Sequence, residues 1–181
     1  MPQAQHLRFV TAADGTRIAV ASIGHGPPLV RAAHWLSHVE HDQRSPVWQP
    51  WLAALSRHHT YVRYDQRGCG LSDADVRDFS LDAWVGDLEA VVDGLGLQRF
   101  PLIGMSQGGA VAIAYAVRHP ERVSHLLLVG AYARGALRRA LASPATSGGR
   151  RVGRRPRRSA GQPGRSRAAI LARRRWRRRW W

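Results

Sequence analysis

The stretch Phe100-Pro101-Leu102-Ile103-Gly104-Met105-Ser106-Gln107-Gly108-Gly109-Ala110 restricts the fold more than any other. An apolar run leads into a sharp turn with a serine at its apex, and a small-residue helix follows. A serine held there adopts a strained backbone conformation, so side chains two positions to either side would collide with the strand or the helix. Gly104 and Gly108 remove those side chains. Ser106 Oγ then projects above the carboxyl end of the strand. The Gln107 amide, at a helix N-terminus, faces any oxyanion that develops beside it. The helix is expected over 110–117, with Ile113, Ala114 and Val117 on one face and Pro120 stopping it.

The rest of the chain alternates strands with helices. Short strands are expected at 7–10 and 17–21, joined at Asp14-Gly15, a strong hairpin signal. A strand at 29–33 ends at His34-Trp35-Leu36. Ser45-Pro46 reads as a helix start, with Val47, Trp48, Trp51, Leu52 and Leu55 on one helical face. A strand at 61–64 runs into the loop Asp65–Asp73. Ser80 caps a helix over 81–93 on the spacing of Leu81, Trp84, Val85, Leu88, Val91 and Val92, and Gly94 closes it. The run Leu126-Leu127-Leu128-Val129 is typical of a parallel strand covered on both faces. This pattern predicts an α/β fold, a mainly parallel sheet flanked by helices and entered through an antiparallel hairpin. In such sheets sites form outside the carboxyl ends of strands, where Trp35, Asp65 and Ser106 all fall.

Charge divides the chain into two parts. Residues 1–135 hold 12 Arg and all 12 acidic residues, whereas 136–181 hold 16 Arg and no acid, so the whole net charge of +16 lies in the tail. There is no lysine. The single Cys69 excludes an intramolecular disulfide, and no metal-ligand spacing surrounds it. His58-His59 are adjacent, so their side chains diverge and do not share a metal. No cofactor or metal is expected. No secretory signal is read at the N-terminus and no apolar run approaches a membrane span, so a cytoplasmic protein is expected.

These residues together resemble the α/β-hydrolase superfamily of esterase-, lactonase- and haloperoxidase-like enzymes. The resemblance rests on Asp14-Gly15-Thr16-Arg17-Ile18-Ala19, Gly26-Pro27-Pro28-Leu29-Val30, the D-x-R-G-x-G-x-S-D loop from Asp65 to Asp73, Gly104 to Gly109, and His119-Pro120-Glu121-Arg122-Val123. The stretch from Trp35-Leu36-Ser37-His38 to Ser45-Pro46-Val47-Trp48 is similar to hydrolase modules that bacteria fuse to DNA-binding or cyclase domains. The resemblance implies an incomplete α/β-hydrolase domain over 1–135, truncated after the sixth strand, acting on an ester- or lactone-like small molecule through an acyl-serine. Ser106 is then the nucleophile, the Gln107 amide half of the oxyanion hole and the Trp35 amide the other half. The family's His-Gly pair before that amide appears here as Ala33-His34.

The family's triad runs Ser, then Asp or Glu, then His. Here no acid follows Glu121 and no histidine follows His125. A serine hydroxyl without a base is a poor nucleophile, so this form is expected to be inactive or nearly so. His34 and His38, near the expected site, read as loop histidines. The 136–181 tail admits three readings: GC-rich DNA read in a shifted frame, a basic arm contacting nucleic acid nonspecifically, or a segment for anionic membrane surfaces. In either of the last two it is expected to be disordered on its own. A non-catalytic sensor module or a basic-tailed binder is the alternative function. Without further strands, the run ending at Val129 is expected to form a bare sheet edge and to favour aggregation.

Overall fold

The computed structural model describes residues 4–133 and 170–172. Among the described residues eleven elements follow one another: β1 (His6–Thr11), β2 (Arg17–Ile23), β3 (Pro28–Arg31), α1 (Val39–Arg44), α2 (Gln49–Leu55), β4 (Thr60–Tyr64), α3 (Leu81–Gly94), β5 (Phe100–Met105), α4 (Gly108–Arg118), β6 (Val123–Val129) and β7 (Ile170–Ala172). They build a seven-stranded sheet in the order β1-β2-β4-β3-β5-β6-β7. β1 and β2 form the expected hairpin, β2 pairs antiparallel with β4, and β4, β3, β5 and β6 run parallel.

Alternation along each strand sorts the core onto two faces. Ile18, Val20, Val30, Val62, Tyr64 and Leu102 join Val85, Leu88, Val91 and Val92 of α3 and Val111, Ala112 and Tyr115 of α4. Ile23, Leu29, Tyr61 and Ile103 point the other way and pack on Leu52 of α2. Successive strand residues face opposite sides, so both faces of the central strands must be apolar. α3 starts where the sequence requires, with Ser80 Oγ accepting from the Ala83 amide at 3.1 Å. The helix runs through Gly94, and the residue that turns the chain away is Gly96, at φ +65°.

Two expectations are corrected. Ser45-Pro46 does not begin a helix. Ser45 ends α1, and α2 begins at Gln49 with Pro50 in its first turn, where a missing amide is harmless. β6 is also not a bare edge throughout: Ile170–Ala172 pairs antiparallel with it, opposite Leu126, Leu127 and Leu128. An edge strand offers unpaired amides and carbonyls, and a short β-competent segment takes them up. The rest of the expected 136–181 tail lies outside the described residues.

The loop after β4 spends its polar residues on its own shape. Asp65 accepts from the Val39 amide (2.9 Å) and the Leu71 amide (2.9 Å), although burial pushes its carboxyl above the usual range. A Cβ at Gly70 would lie 2.1 Å from that carboxylate, which explains the glycine. Ser72 Oγ accepts from the Ala19 amide at 2.9 Å and donates to the Asp65 carbonyl at 2.8 Å. Arg67 is buried and makes a two-pronged pair with Asp87 of α3, at 2.9 and 2.7 Å, plus a 2.7 Å contact with Asp14 of the hairpin turn. The loop therefore clamps hairpin, sheet and helix together.

Arg67 holds the Asp14 carboxyl down from 3.8 to about 2. A depressed carboxylate pKa stabilises the fold fully above the unfolded value and loses that contribution as the pH falls through the folded value. Asp14 is half exposed, with 47% of its side chain accessible, so solvent screening limits the contribution to about 1 kcal/mol. Asp14→Asn is expected to be less stable than the parent by about that amount at pH 7. The gap should close between pH 3.8 and about 2, as followed by urea unfolding across that window.

Candidate active site

β5 rises through the middle of the sheet and stops at Met105, and Ser106 makes the turn with φ +50°. A non-glycine residue in this left-handed region costs roughly 1–2 kcal/mol, so the surroundings must impose it. They do so through backbone contacts. The Ser106 amide donates to the Val129 carbonyl of β6 at 3.1 Å, and the Ser106 carbonyl accepts from the Gly109 amide at 3.1 Å. A Cβ on Gly104 would come within 2.8 Å of both Ala112 Cβ and Gly109 Cα. A Cβ on Gly108 would meet the Ala33 carbonyl oxygen at 2.6 Å and that of Ala32 at 2.9 Å. Gly109 abuts Ala131, where an added Cβ would lie 2.3 Å from the alanine Cβ. The elbow is therefore a fold requirement that only glycines satisfy.

Gly108 also sets how closely α4 approaches the end of β3. Helix α4 starts hard against the backbone of Ala32 and Ala33, two residues before Trp35. Neither the Gln107 nor the Trp35 amide donates to another backbone carbonyl among the described residues. Gln107 caps α4 without a side-chain hydrogen bond, and two amides of the first turn are taken by backbone, Gly109 donating to the Ser106 carbonyl and Ala110 to the Gln107 carbonyl. Ser106 is exposed at the carboxyl end of β5. β3 and β6 flank that strand, and at their ends stand exposed Trp35, Leu36, Val129 and Tyr132.

The histidine rings with hydrogen bonds are engaged away from the serine. His34 Nδ1 lies 2.9 Å from the Trp35 carbonyl, and His38 Nδ1 accepts from the His41 amide. His119 pairs with Glu89 at 2.7 Å, and His125 meets Ser124 Oγ. His34 and His38 are thus loop-holding residues, in line with the sequence reading. Burial, then the nearby Arg31, keeps the His34 pKa below its ordinary value. Behind the elbow, Ala33, Tyr64, Gln66, Trp84, Asp87, Gln107 and Val111 enclose only about 10 Å³, room for one small molecule such as water. Among the described residues no cluster of His, Cys, Asp and Glu is arranged to hold a metal, and no helix is long and apolar enough to cross a membrane.

Sequence reasoning missed a second group of residues on the opposite face of the sheet. Arg31 and Arg63 stand side by side on β3 and β4 and share Asp42 of α1, at 3.3 and 3.1 Å. Trp48 lies over the Arg31 guanidinium at 4.8 Å and stacks on His34 at 4.9 Å. Trp48 reads in the sequence as part of an apolar helix face. Nothing local marks it as the partner of a histidine 14 positions away.

A strand-elbow-helix unit with an apical serine, in a mostly parallel sheet entered by a hairpin, defines an α/β-hydrolase arrangement. The comparison with known proteins agrees. The family described as alpha/beta hydrolase fold matches residues 40–173, and the chain belongs to it. It is 36% identical over 85 residues to a 2-hydroxy-6-oxo-2,4-heptadienoate hydrolase of Pseudomonas putida, covering 46% of this chain and 31% of that protein. A hydrolase structure from Pseudomonas aeruginosa superposes with a TM-score of 0.64 at 28% identity, covering 74% of this chain and 49% of the other. The enol-lactonase of Burkholderia xenovorans gives 0.57 at 28% identity, covering 66% and 45%. The chain thus spans about a third to a half of the length of these relatives.

The Gly108 contact yields a direct test. Gly108→Ala drives a methyl group into two backbone carbonyls that have no rotamer to yield. It is expected to lose about 1–3 kcal/mol of stability, seen as a lowered thermal midpoint. A variant as stable as the parent would show that α4 does not approach β3 this closely.

Proposed function

We propose that this chain carries the nucleophile half of a serine hydrolase acting on an ester- or lactone-like acyl compound. The observation that carries the reading is Ser106 held at φ +50° at the start of α4, next to a Gln107 amide that donates to no backbone carbonyl among the described residues. In the reaction, Ser106 Oγ attacks the acyl carbon and the carbonyl oxygen gains the electron pair. The Gln107 and Trp35 amides stabilise that oxyanion. The alkoxide then leaves and takes up a proton, and water later releases the acid. The exposed Trp35, Leu36, Val129 and Tyr132 offer an apolar acyl group a surface on either side of the serine.

The serine proton is the weak point. The chain holds no acid after Glu121 and no histidine after His125, and its hydrogen-bonded histidines are committed elsewhere. Water must accept the proton. Enzymes stripped of triad members retain about 10³–10⁴-fold acceleration from the oxyanion hole and binding alone, and catalysis of that order is the expectation here.

A second reading rests on charge: all 16 net positive charges follow residue 135, which fits a basic arm for nucleic acid or an anionic membrane surface. Labelling with a fluorophosphonate separates the two. Slow modification is expected on the tryptic peptide 100–118, and Ser106→Ala abolishes it. No labelling, together with DNA binding that collapses as salt rises, would replace the hydrolase reading with the second.

A further inference from the structure

The residue proposed to supply the second oxyanion amide does not anchor itself. The side chains of Trp35 and Leu36 are 68% and 67% exposed, and Leu36 sits at φ +55°. A turn whose side chains point into water is held by its main chain or not at all. On its far side, Ser37 Oγ accepts from the Gln66 amide at 2.9 Å, and Asp65 accepts from the Val39 amide. On its near side the contact is His34 Nδ1 to the Trp35 carbonyl, at 2.9 Å.

That contact needs a fixed ring. A carbonyl oxygen only accepts, so His34 Nδ1 must carry the hydrogen. The ring is buried and stacks on Trp48, with centroids 4.9 Å apart and planes 24° from parallel. Arg31 lies against the same indole at 4.8 Å. Arg31 is itself pinned by Asp42, whose carboxylate oxygen also takes Arg63. α1 delivers Asp42, and the turn that follows α1 delivers Trp48.

We propose that Asp42, Arg31, Trp48 and His34 form a positioning relay: His34 holds the carbonyl of the Trp35–Leu36 peptide and thereby restrains the Trp35 backbone, so that the Trp35 amide on the adjoining peptide is preorganised as an oxyanion donor. His34 and Trp48 are positioning residues in this account and touch no substrate. The proposal rests on reading Ser106, Gln107 and Trp35 as an acyl-transfer site. It assigns a purpose to one departure from the resemblance drawn above, a histidine in place of the glycine before the oxyanion residue.

The test uses the full chain with His34→Ala, His34→Asn, Trp48→Ala and Trp48→Phe. Two quantities are read: the ¹⁵N order parameters of the Trp35 and Leu36 amides, and the rate of fluorophosphonate labelling at Ser106. In the parent both amides are expected near the rigid value of about 0.85. His34→Ala and Trp48→Ala should drop them below about 0.6 and slow labelling by about tenfold. The carboxamide introduced by His34→Asn still donates to the carbonyl, and the ring introduced by Trp48→Phe still stacks. These two variants should therefore restore both quantities to within about threefold of the parent. Unchanged order parameters in the alanine variants overturn the relay. So does a loosened turn with an undiminished labelling rate, or a loss in the conservative variants equal to that in the alanine variants. If the parent does not label at all, the acyl-transfer reading fails, and the order parameters alone decide whether the relay fixes the turn.

Discussion

The contact between the first turn of α4 and the backbone of Ala32 and Ala33 governs the geometry around Ser106. It is a backbone-to-backbone approach, with no side chain to soften it, and only a glycine at position 108 permits it. Bringing α4 this close forces the chain from β5 to reverse within one residue, which places Ser106 at positive φ. It also brings a helix N-terminus and the end of β3 to the same edge of the sheet. On the proposed reading, packing alone then sets the serine and its amide donors. Electrostatic preorganisation of this kind is fixed when the chain folds and needs no reorganisation when a substrate arrives.

Buried charge does the corresponding work elsewhere in the fold. Arg67 spans the hairpin turn and α3, and Asp42 ties β3 and β4 to α1. Such pairs add little net stability over apolar packing, but removing one partner leaves an unpaired buried charge and costs about 3–5 kcal/mol. Their effect is to allow one arrangement of loops at the carboxyl ends of the strands. Asp65 serves the same end through backbone amides, joining the segment after Trp35 to the glycine loop.

Features governed by local rules were legible in the sequence. The strands and α3 follow from periodicity, Ser80 from its capping chemistry, and the elbow from its glycine spacing, although the backbone that demands Gly108 comes from Ala32 and Ala33 far back in the chain. What depended on distant partners was not legible. α1, Val39–Arg44, has no apolar stripe and forms around Asp42, whose two arginines come from different strands. The rule for proline at a helix start was sound but belonged to Pro50 and not Pro46, because Ser45 was already closing α1. At the site, Ser106 takes the turn at φ +50°, and Gly104 and Gly108 lie where an added Cβ would clash. The bond from His34 to Trp35 and the stacking of His34 on Trp48 had no local signature.

The central claim is that the elbow is formed by this chain's own packing, whatever else completes a hydrolase. The backbone torsion of Ser106 in solution, from NMR couplings and chemical shifts on the intact chain, tests it most directly. The account predicts a single conformer with φ near +50°. An averaged or negative φ at Ser106 in an otherwise folded chain would contradict it, because the strain would then be released and the serine no longer aimed.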